Sequence, residues 1–482
     1  MASRDIRRAL VGLVVLAAAL RFWRIGHQSY WLDEAFTVGL VNEDLVGMLK
    51  GVRETESTPH LYYVLAWLWE KVVGDGEAAL RSLSALFGIA TVPVAYLAAR
   101  ELFRPLVALT AAALVAVNPW LVWYSQEARA YALLVLLCTA ALLFFLRARS
   151  GGRNLALWAL LAALAVLTHY FAAFMVAPMA LWLVWTRRDR ASIVASGAVA
   201  AVGMALAPLA LDQRASGHTK FIESIPLGDR VTDLPKKFVT GELGTPTPGI
   251  GVLAGLLVLV AVGLLVVRAP EEDRNRALGL GALVAVTLAV PLLLAAAGLD
   301  YLFPRNAIAA FVPAAIALAA GFATGRAGLA AAAALCAIAV AVNIQVSFNE
   351  SLQRDDLRGL AKALGKPEAD RAIVINPQVQ LRALEQYTGP LPKFPQRVVD
   401  LYEVDAILIT RDDIEREPQP PVEGFELVER RSSESWQLVR FRAVQGRQSD
   451  TGGPVLLGVG PPFAEATRLA EEAPAIRLQS RR

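Results

Sequence analysis

Cysteine is nearly missing: the 482-residue chain has two, Cys138 and Cys336, both inside apolar runs. That excludes a disulfide framework and a thiolate metal site. Charge is scarce as well, at 19% of residues, while 56% are hydrophobic and the mean hydropathy is +0.47. Soluble domains carry about 25% charged residues, so a water-soluble globule is excluded in favour of a polytopic membrane protein. No basic stripe is present either. The net charge of +4 comes from short Arg clusters between apolar runs, which reads as membrane topology rather than a nucleic-acid footprint. A repeat of fixed period is also lacking, and the sequon Asn349-Glu350-Ser351 is too short a match to carry meaning.

What the chain has in abundance is long apolar runs. The first, from about Ala9 to Trp23, follows Arg4, Arg7 and Arg8, and is read as an uncleaved signal-anchor with a cytoplasmic N-terminus. Further spans are expected near 78–99, 107–122, 132–146, 191–211, 250–267, 277–297, 307–322 and 327–346. The run from Leu155 to Trp185 is too long for one crossing of a core about 30 Å thick, and basic clusters flank both its ends. It is therefore expected to be a hairpin with its outer tip near Thr168-His169-Tyr170. The fold expected is a polytopic α-helical membrane protein of about eleven transmembrane helices, with its C-terminal part outside.

Between the first two spans lies a loop, 26–77, that is rich in acids and contains Tyr30-Trp31-Leu32-Asp33-Glu34-Ala35. Two carboxylates at the exit of a span need either water or a job, since charge at bilayer depth costs several kcal/mol. The aromatic stretch Leu61–Trp69 is too short to span and is expected to lie in the interface. From Phe348 the composition becomes that of a soluble protein. A helix over 352–364 and strands at 372–376, 406–410 and 436–441 predict a small α/β domain over 348–444, with 445–482 a loose Gly/Pro-rich tail. Residues 1–347 form the membrane domain in this reading.

Several polar residues fall at outer span ends: Asp33, Glu34, Glu127, Arg129, His169 and Arg305. Arg305 follows Pro304 at the start of a span, where a guanidinium can hold a phosphate in a bidentate fork or serve as an interfacial anchor. Glu127 and Arg129 form a local ion pair in the plain reading. His169 is open between a neutral donor, a general base, a metal ligand and an ordinary interfacial His. Together, carboxylates opposite cations at the membrane surface suit a lipid-linked phosphate, with a carboxylate taking the proton of an incoming hydroxyl. A transporter or lipid-linked sugar flippase without transferase chemistry is the competing class. Transporters place polar groups near the midplane, often in two symmetric halves, whereas here charge crowds one face and no halves repeat.

Four segments, in order, carry a resemblance: Trp31-Leu32-Asp33-Glu34-Ala35, Glu56-Ser57-Thr58-Pro59-His60-Leu61-Tyr62-Tyr63, Leu80 to Gly88, and Asn118-Pro119 through Ser125-Gln126-Glu127-Ala128-Arg129-Ala130-Tyr131. They resemble the bacterial branch of glycosyltransferase family 39, the polyprenyl- or dolichyl-phosphate-mannose mannosyltransferases, which share the C-type membrane fold with the aminoarabinose transferase. The resemblance covers about the first 170 residues; Phe303-Pro304-Arg305 is a weaker echo. It implies an inverting transfer of a mannose-like hexose or pentose from a polyprenyl-phosphate donor to an extracytoplasmic protein, glycan or lipid acceptor at the plasma (inner) membrane. It further implies Asp33 as catalytic base supported by Glu34, with Glu127, Arg129, Tyr131, His169, Arg305 and Tyr62 lining the substrate cavity. It names no certain cofactor. A divalent cation (Mg, Mn or Ca) on Asp33 and Glu34 stays open, because such an ion wants about six oxygen ligands and the sequence does not supply them. His60 stands where related sequences carry a second proline, so acceptor specificity is not carried across.

Overall fold

The structure is a computed structural model that describes residues 3–151, 154–245, 247–367, 371–393, 402–411, 425–443 and 475–479. The chain divides into two compact units, Met1–Ile25 with Thr37–Phe348, and Gly26–Phe36 with Asn349–Arg482.

The larger unit is helical. It opens with α1 (Ser3–Phe22); α2 (Leu32–Val41) begins in the smaller unit and ends in this one. Then come α3 (Leu45–Thr55), α4 (Leu61–Val73), α5 (Glu77–Arg100), α6 (Pro105–Val117), α7 (Pro119–Ser125), α8 (Tyr131–Gly151), α9 (Leu155–Thr168) and α10 (Ala172–Arg187). The series continues with α11 (Arg190–Ala205), α12 (Ala207–Ala215), α13 (Phe221–Ser224), α14 (Leu227–Thr240), α15 (Pro248–Arg268), α16 (Glu271–Ala296), α17 (Phe311–Phe322) and α18 (Arg326–Phe348). A 3₁₀ turn, Pro304–Ala310, leads into α17.

Among the described residues seven helices are long and apolar enough to cross a membrane, or eight if the bent pair α6–α7 is one span. The other predicted spans coincide with α1, α9 and α10. The last two have 14 and 16 residues, fewer than the roughly 20 that a full crossing needs. The hairpin expected over 155–185 is present, with its break at the predicted tip. At the basic ends, Arg side chains tie helices together: Arg187 Nη1 donates to the Ala148 carbonyl at 2.6 Å and Arg276 Nη1 to that of Leu102 at 2.7 Å. These Arg residues therefore satisfy exposed helix-end carbonyls as well as marking topology.

The span expected at 107–122 is broken. Pro119 has no N–H, so the carbonyl four residues earlier, Val115, loses its partner, and the axis turns by 54° between α6 and α7. Bare carbonyls inside a helical bundle are expensive. Arg21, fully buried on α1, supplies the missing donors: Nη2 reaches Val115 O at 3.3 Å, Nη1 reaches Ala116 O at 2.8 Å, and Nε donates to Ser125 Oγ at 3.1 Å. Asn343 on α18 donates to Val117 O at 2.8 Å. Asn118 caps α7 by accepting from Leu121 N, and its amide donates to Phe238 O at 2.9 Å.

The smaller unit is α/β. It contains α19 (Leu357–Leu364), β1 (Arg371–Asn376), α20 (Leu381–Thr388), β2 (Glu403–Ile409), β3 (Phe425–Ser432), β4 (Trp436–Ala443) and β5 (Ala475–Gln479). The sheet order is β3-β4-β2-β1-β5; β1 and β2 run parallel and the other pairs antiparallel. Both faces of β1 are buried: Ile373 and Ile375 meet Leu357, Leu360 and Leu384, and Ala372 and Val374 pack with Val404 and Phe441. That two-sided burial accounts for the unbroken apolar runs of the predicted strands.

Two expected boundaries change. Residues 26–77 were expected as one outer loop of the membrane domain, but Gly26–Phe36 belongs to the α/β unit, where Ala35 is part of the core of Leu357, Ile373 and Trp436. The domain expected over 348–444 also takes in β5, which pairs with β1. The rest of the tail expected over 445–482 lies outside the described residues.

Gly88 on α5 faces the broken span so closely that a Cβ there would stand 2.1 Å from Ser125 Oγ and 2.7 Å from Arg21 Nε. Gly88→Ala is expected to displace Arg21 from the freed carbonyls and to destabilise the protein by about 1–3 kcal/mol. Thermal unfolding of the detergent-solubilised protein checks this, and an unchanged midpoint would show that Arg21 has no essential place there.

Candidate functional site

The turn between α7 and α8 carries Glu127, Arg129 and Tyr131, and is fastened from two sides. Gln126 Nε2 donates to the carbonyls of Leu20, Arg21 and Trp23 at 3.2, 3.1 and 2.9 Å, satisfying the otherwise open C-terminal end of α1. Arg129 forms a two-pronged ion pair with Glu56 at 2.8 and 2.7 Å, their side chains 10% and 3% exposed. Thr37 Oγ1 accepts from Arg129 at 3.3 Å, and the Tyr63 ring lies 5.7 Å from the guanidinium. Arg129 thus reaches beyond its own turn to the chain between α3 and α4. Thr58 Oγ1 and the Tyr63 hydroxyl are 3.2 Å apart, and burial holds that phenol well above its ordinary pKa, so it stays protonated.

From this pair the site extends towards Arg305. His169 lies in the turn between α9 and α10, its ring centroid 5.8 Å from that of Tyr131. It was expected at an exposed tip but is buried. Its Nδ1 accepts from Phe171 N–H at 3.2 Å, which puts the proton of the neutral ring on Nε2. Burial, reinforced by the positive charges of Arg129 and Arg305, pushes its pKa down to about 3. Arg305, half-buried at the start of the 3₁₀ turn, lies 5.8 Å from the Tyr131 ring and 5.0 Å from that of Phe303. The preceding loop is pinned by Arg230, whose guanidinium holds Asp300 at 2.8 and 2.5 Å and the Leu302 carbonyl at 2.6 Å.

A third cluster adjoins these. Glu242 Oε2 accepts from Trp120 Nε1 and from the Tyr124 hydroxyl, each at 2.8 Å, and Oε1 accepts from Lys237 Nζ at 2.6 Å. Burial raises the Glu242 pKa, but Lys237 and these hydrogen bonds outweigh it and hold the carboxyl below its usual range. The Tyr124 and Tyr131 rings meet at a 60° tilt with centroids 4.7 Å apart, which links this cluster to Arg305.

The structure therefore brings together Glu127, Arg129, Tyr131, His169 and Arg305, from three chain turns far apart in sequence. Tyr62 lies behind them, fully buried with its hydroxyl 3.2 Å from Ser84 Oγ on α5. Asp33 and Glu34 stand in the first turn of α2 and belong to the α/β unit; Asp33 is half-buried and Glu34 buried. Among the described residues no three His, Cys, Asp or Glu side chains are grouped as a metal ion needs. Sequence reasoning passed over Glu56, Thr58, Tyr63, Lys237 and Glu242. Glu56 stood in a quoted motif, but as one acid among many in its loop it had nothing to mark it as the partner of Arg129. Lys237 and Glu242 are five apart in a polar loop, and their shared enclosure by Trp120 and Tyr124 depends wholly on tertiary structure.

Glu56→Ala leaves the Arg129 guanidinium buried without its counter-ion and is expected to cost about 3–5 kcal/mol. The double variant Glu56→Ala/Arg129→Leu should be less damaging than the sum of the singles, a coupling that a double-mutant cycle of unfolding energies measures. Because the His169 pKa is lower in the folded protein than the unfolded value of about 6.5, the unfolded chain binds the extra proton. Its stability contribution is full above pH 6.5 and is lost by up to about 1.4 kcal/mol per unit as pH falls towards 3. Melting at pH 7.5 and 5.5 should show a smaller acid loss in His169→Gln than in the parent.

Residues 57–211 match the profile of the family described as dolichyl-phosphate-mannose-protein mannosyltransferase. No curated protein matches the chain. Among solved structures, the Archaeoglobus fulgidus oligosaccharyltransferase in the apo form is 13% identical with a TM-score of 0.49, covering 80% of this chain; the chain spans 64% of that enzyme's length. ArnT from Cupriavidus metallidurans bound to undecaprenyl phosphate is 13% identical with a TM-score of 0.41, covering 94% of this chain and 99% of that one. Arabinofuranosyltransferase AftD from Mycobacteria is 14% identical with a TM-score of 0.45, covering 93% of this chain and 42% of that one. Over residues 57–211, from the Thr58–Tyr63 corner through Arg129 to His169, this chain carries the mannosyltransferase family match that its ordered motifs implied.

Proposed function

We propose that this multi-pass membrane protein is a glycosyltransferase that moves a mannose-like sugar from a polyprenyl-phosphate carrier to an acceptor outside the membrane, with inversion at the anomeric carbon. The observation that carries the reading is that a charged site and an apolar cavity stand in the same unit, linked by a chain of side-chain contacts. A cavity of about 290 Å³ is lined by Val117, Phe238, Val258, Leu288, Phe311 and Leu335, among others. Phe238 on its wall stacks on Trp120 at 5.1 Å, Trp120 reaches Glu242, and Tyr124 leads from Glu242 to Tyr131 and Arg305. A ligand with an isoprenoid tail and a phosphate head has the chemistry of that path. A flippase or transporter has no comparable support.

In this mechanism Asp33 takes the proton of the acceptor hydroxyl as its oxygen attacks the anomeric carbon. The bond from that carbon to the phosphate oxygen breaks, and the departing polyprenyl phosphate takes up the negative charge. Arg305 is the cation assigned to that phosphate, because the fork of Arg129 is engaged by Glu56 and its charge is largely neutralised. Neutral His169, with its proton on Nε2, adds a donor that brings no charge of its own. Glu34 supports Asp33, and Glu127, Tyr131 and Tyr62 are assigned to the substrate site around Arg305. The Arg clusters at the inner helix ends support a cytoplasmic N-terminus, an extracytoplasmic α/β unit and residence in the plasma (inner) membrane.

Offering expressing membranes a panel of radiolabelled polyprenyl-phosphate sugars identifies donor and acceptor together. Asp33→Asn should insert normally yet abolish transfer; near-normal turnover removes Asp33 from the mechanism. Arg305→Ala should lower the rate by about 10²–10³-fold, as expected when one contact to developing charge is lost.

A further inference from the structure

The segment Gly26–Phe36 holds Asp33 and Glu34, and its polar groups are met by the α/β unit almost residue by residue. The Ser29 hydroxyl donates to the Asp355 carbonyl at 2.7 Å and accepts from Leu357 N–H at 3.1 Å, so it completes the first turn of α19. Gln28 Oε1 accepts from Arg354 N–H at 2.9 Å, and Arg358 Nη2 donates to the Gly26 carbonyl at 3.3 Å. The Tyr30 N–H donates to the Tyr387 hydroxyl at 2.6 Å. Ala35 is fully buried in the core with Leu357 and Leu384, and the Arg382 guanidinium lies 4.3 Å from the Phe36 ring. Phe36 follows Asp33 by three residues on α2, and thus lies on the same side of the helix one turn away. The carboxylates are bracketed: Tyr387 fixes the chain three residues before Asp33, and Arg382 fixes it three residues after.

We propose that the α/β unit acts in the reaction as a positioning device, with Tyr387 and Arg382 as positioning residues that set the Asp33–Glu34 turn at its working angle. This rests on the reading of Asp33 as the base. Many small contacts on a short segment serve orientation better than affinity. A base misplaced by about 1 Å can lose on the order of a hundredfold in rate, while donor binding at the membrane-embedded site is untouched. Tyr387 and Arg382 belong to the α/β unit, whereas the proposed phosphate contact and the apolar cavity belong to the larger unit. Their loss should therefore show in kcat and leave KM for the donor alone.

Tyr387→Phe keeps the ring and removes the hydroxyl that accepts from Tyr30 N–H. Arg382→Ala removes the stack on Phe36, and Arg382→Lys restores a cation to it. Full-length variants in nanodiscs are assayed with polyprenyl-phosphate mannose, and peptides covering 26–36 are followed by hydrogen–deuterium exchange. The expected result is about tenfold to a hundredfold lower kcat in Tyr387→Phe and Arg382→Ala, with KM for the donor within about twofold of the parent. Amides of 26–36 should exchange faster in both, and Arg382→Lys should recover most of the rate. Parental exchange at 26–36 in both variants, or faster exchange with parental kcat, overturns the proposal. So does a change confined to KM, or a loss of rate that only tracks a lowered melting temperature. Asp33→Asn run alongside separates the two readings: if it turns over normally, the assignment of Asp33 fails, while the exchange data still decide whether Tyr387 and Arg382 hold the segment.

Discussion

Backbone hydrogen bonds cannot be left to water inside a bundle of apolar helices, and the membrane unit is arranged around a bend at which its chain breaks that rule. At Asn118–Pro119 a span bends and gives up its own partners for Val115, Ala116 and Val117. The donors come from Arg21 at one side and Asn343 at the other, so α1 and α18 are fastened to the break by chemistry and not by packing alone. Gly88 exists as glycine because Arg21 and Ser125 fill the space beside it. The bend has a positional effect as well. It directs α7 and the following turn, with Glu127, Arg129 and Tyr131, towards the chain between α3 and α4 where Glu56 waits.

Charge at the site is managed by enclosure in pairs. Arg129 with Glu56, Arg230 with Asp300 and Lys237 with Glu242 are three partly or fully buried ion pairs around one region. Such pairs add little net stability compared with apolar replacements, since desolvation offsets much of the attraction. Their value is orientation. Each fixes one of the segments on which the site depends: the α7–α8 turn, the loop before Arg305 and the end of α14. His169, kept neutral among these cations, contributes polarity without adding to the positive charge.

Much of this was legible in the sequence because bilayers impose length and hydropathy on spans, and Arg clusters mark their inner ends. The hairpin at 155–185 and the break near His169 followed from run length and flanking charge alone. Glu127, Arg129, His169 and Arg305 were named together because each stands at a span end expected to face outside. Pairings across long sequence separation were not legible: nothing in the order of residues says that Arg129 takes Glu56, or that Glu242 sits between Trp120 and Lys237. The assignment of Gly26–Phe36 was hidden for a different reason. Its residues look like an interfacial loop because their polar groups are balanced by partners more than three hundred positions away, such as Ser29 with Leu357.

The edge strand Ala475–Gln479 pairs with β1, and β1 lies in the sheet whose core encloses Ala35. A ribosome delivers Gly26–Phe36 among its earliest products and this strand long afterwards, when every membrane helix has already been inserted. The acidic turn must therefore wait, unsupported, through nearly the whole of synthesis before its scaffold can close around it. The packing of Gly26–Phe36 would then be completed late in biogenesis, after the chain has taken up its place in the lipid.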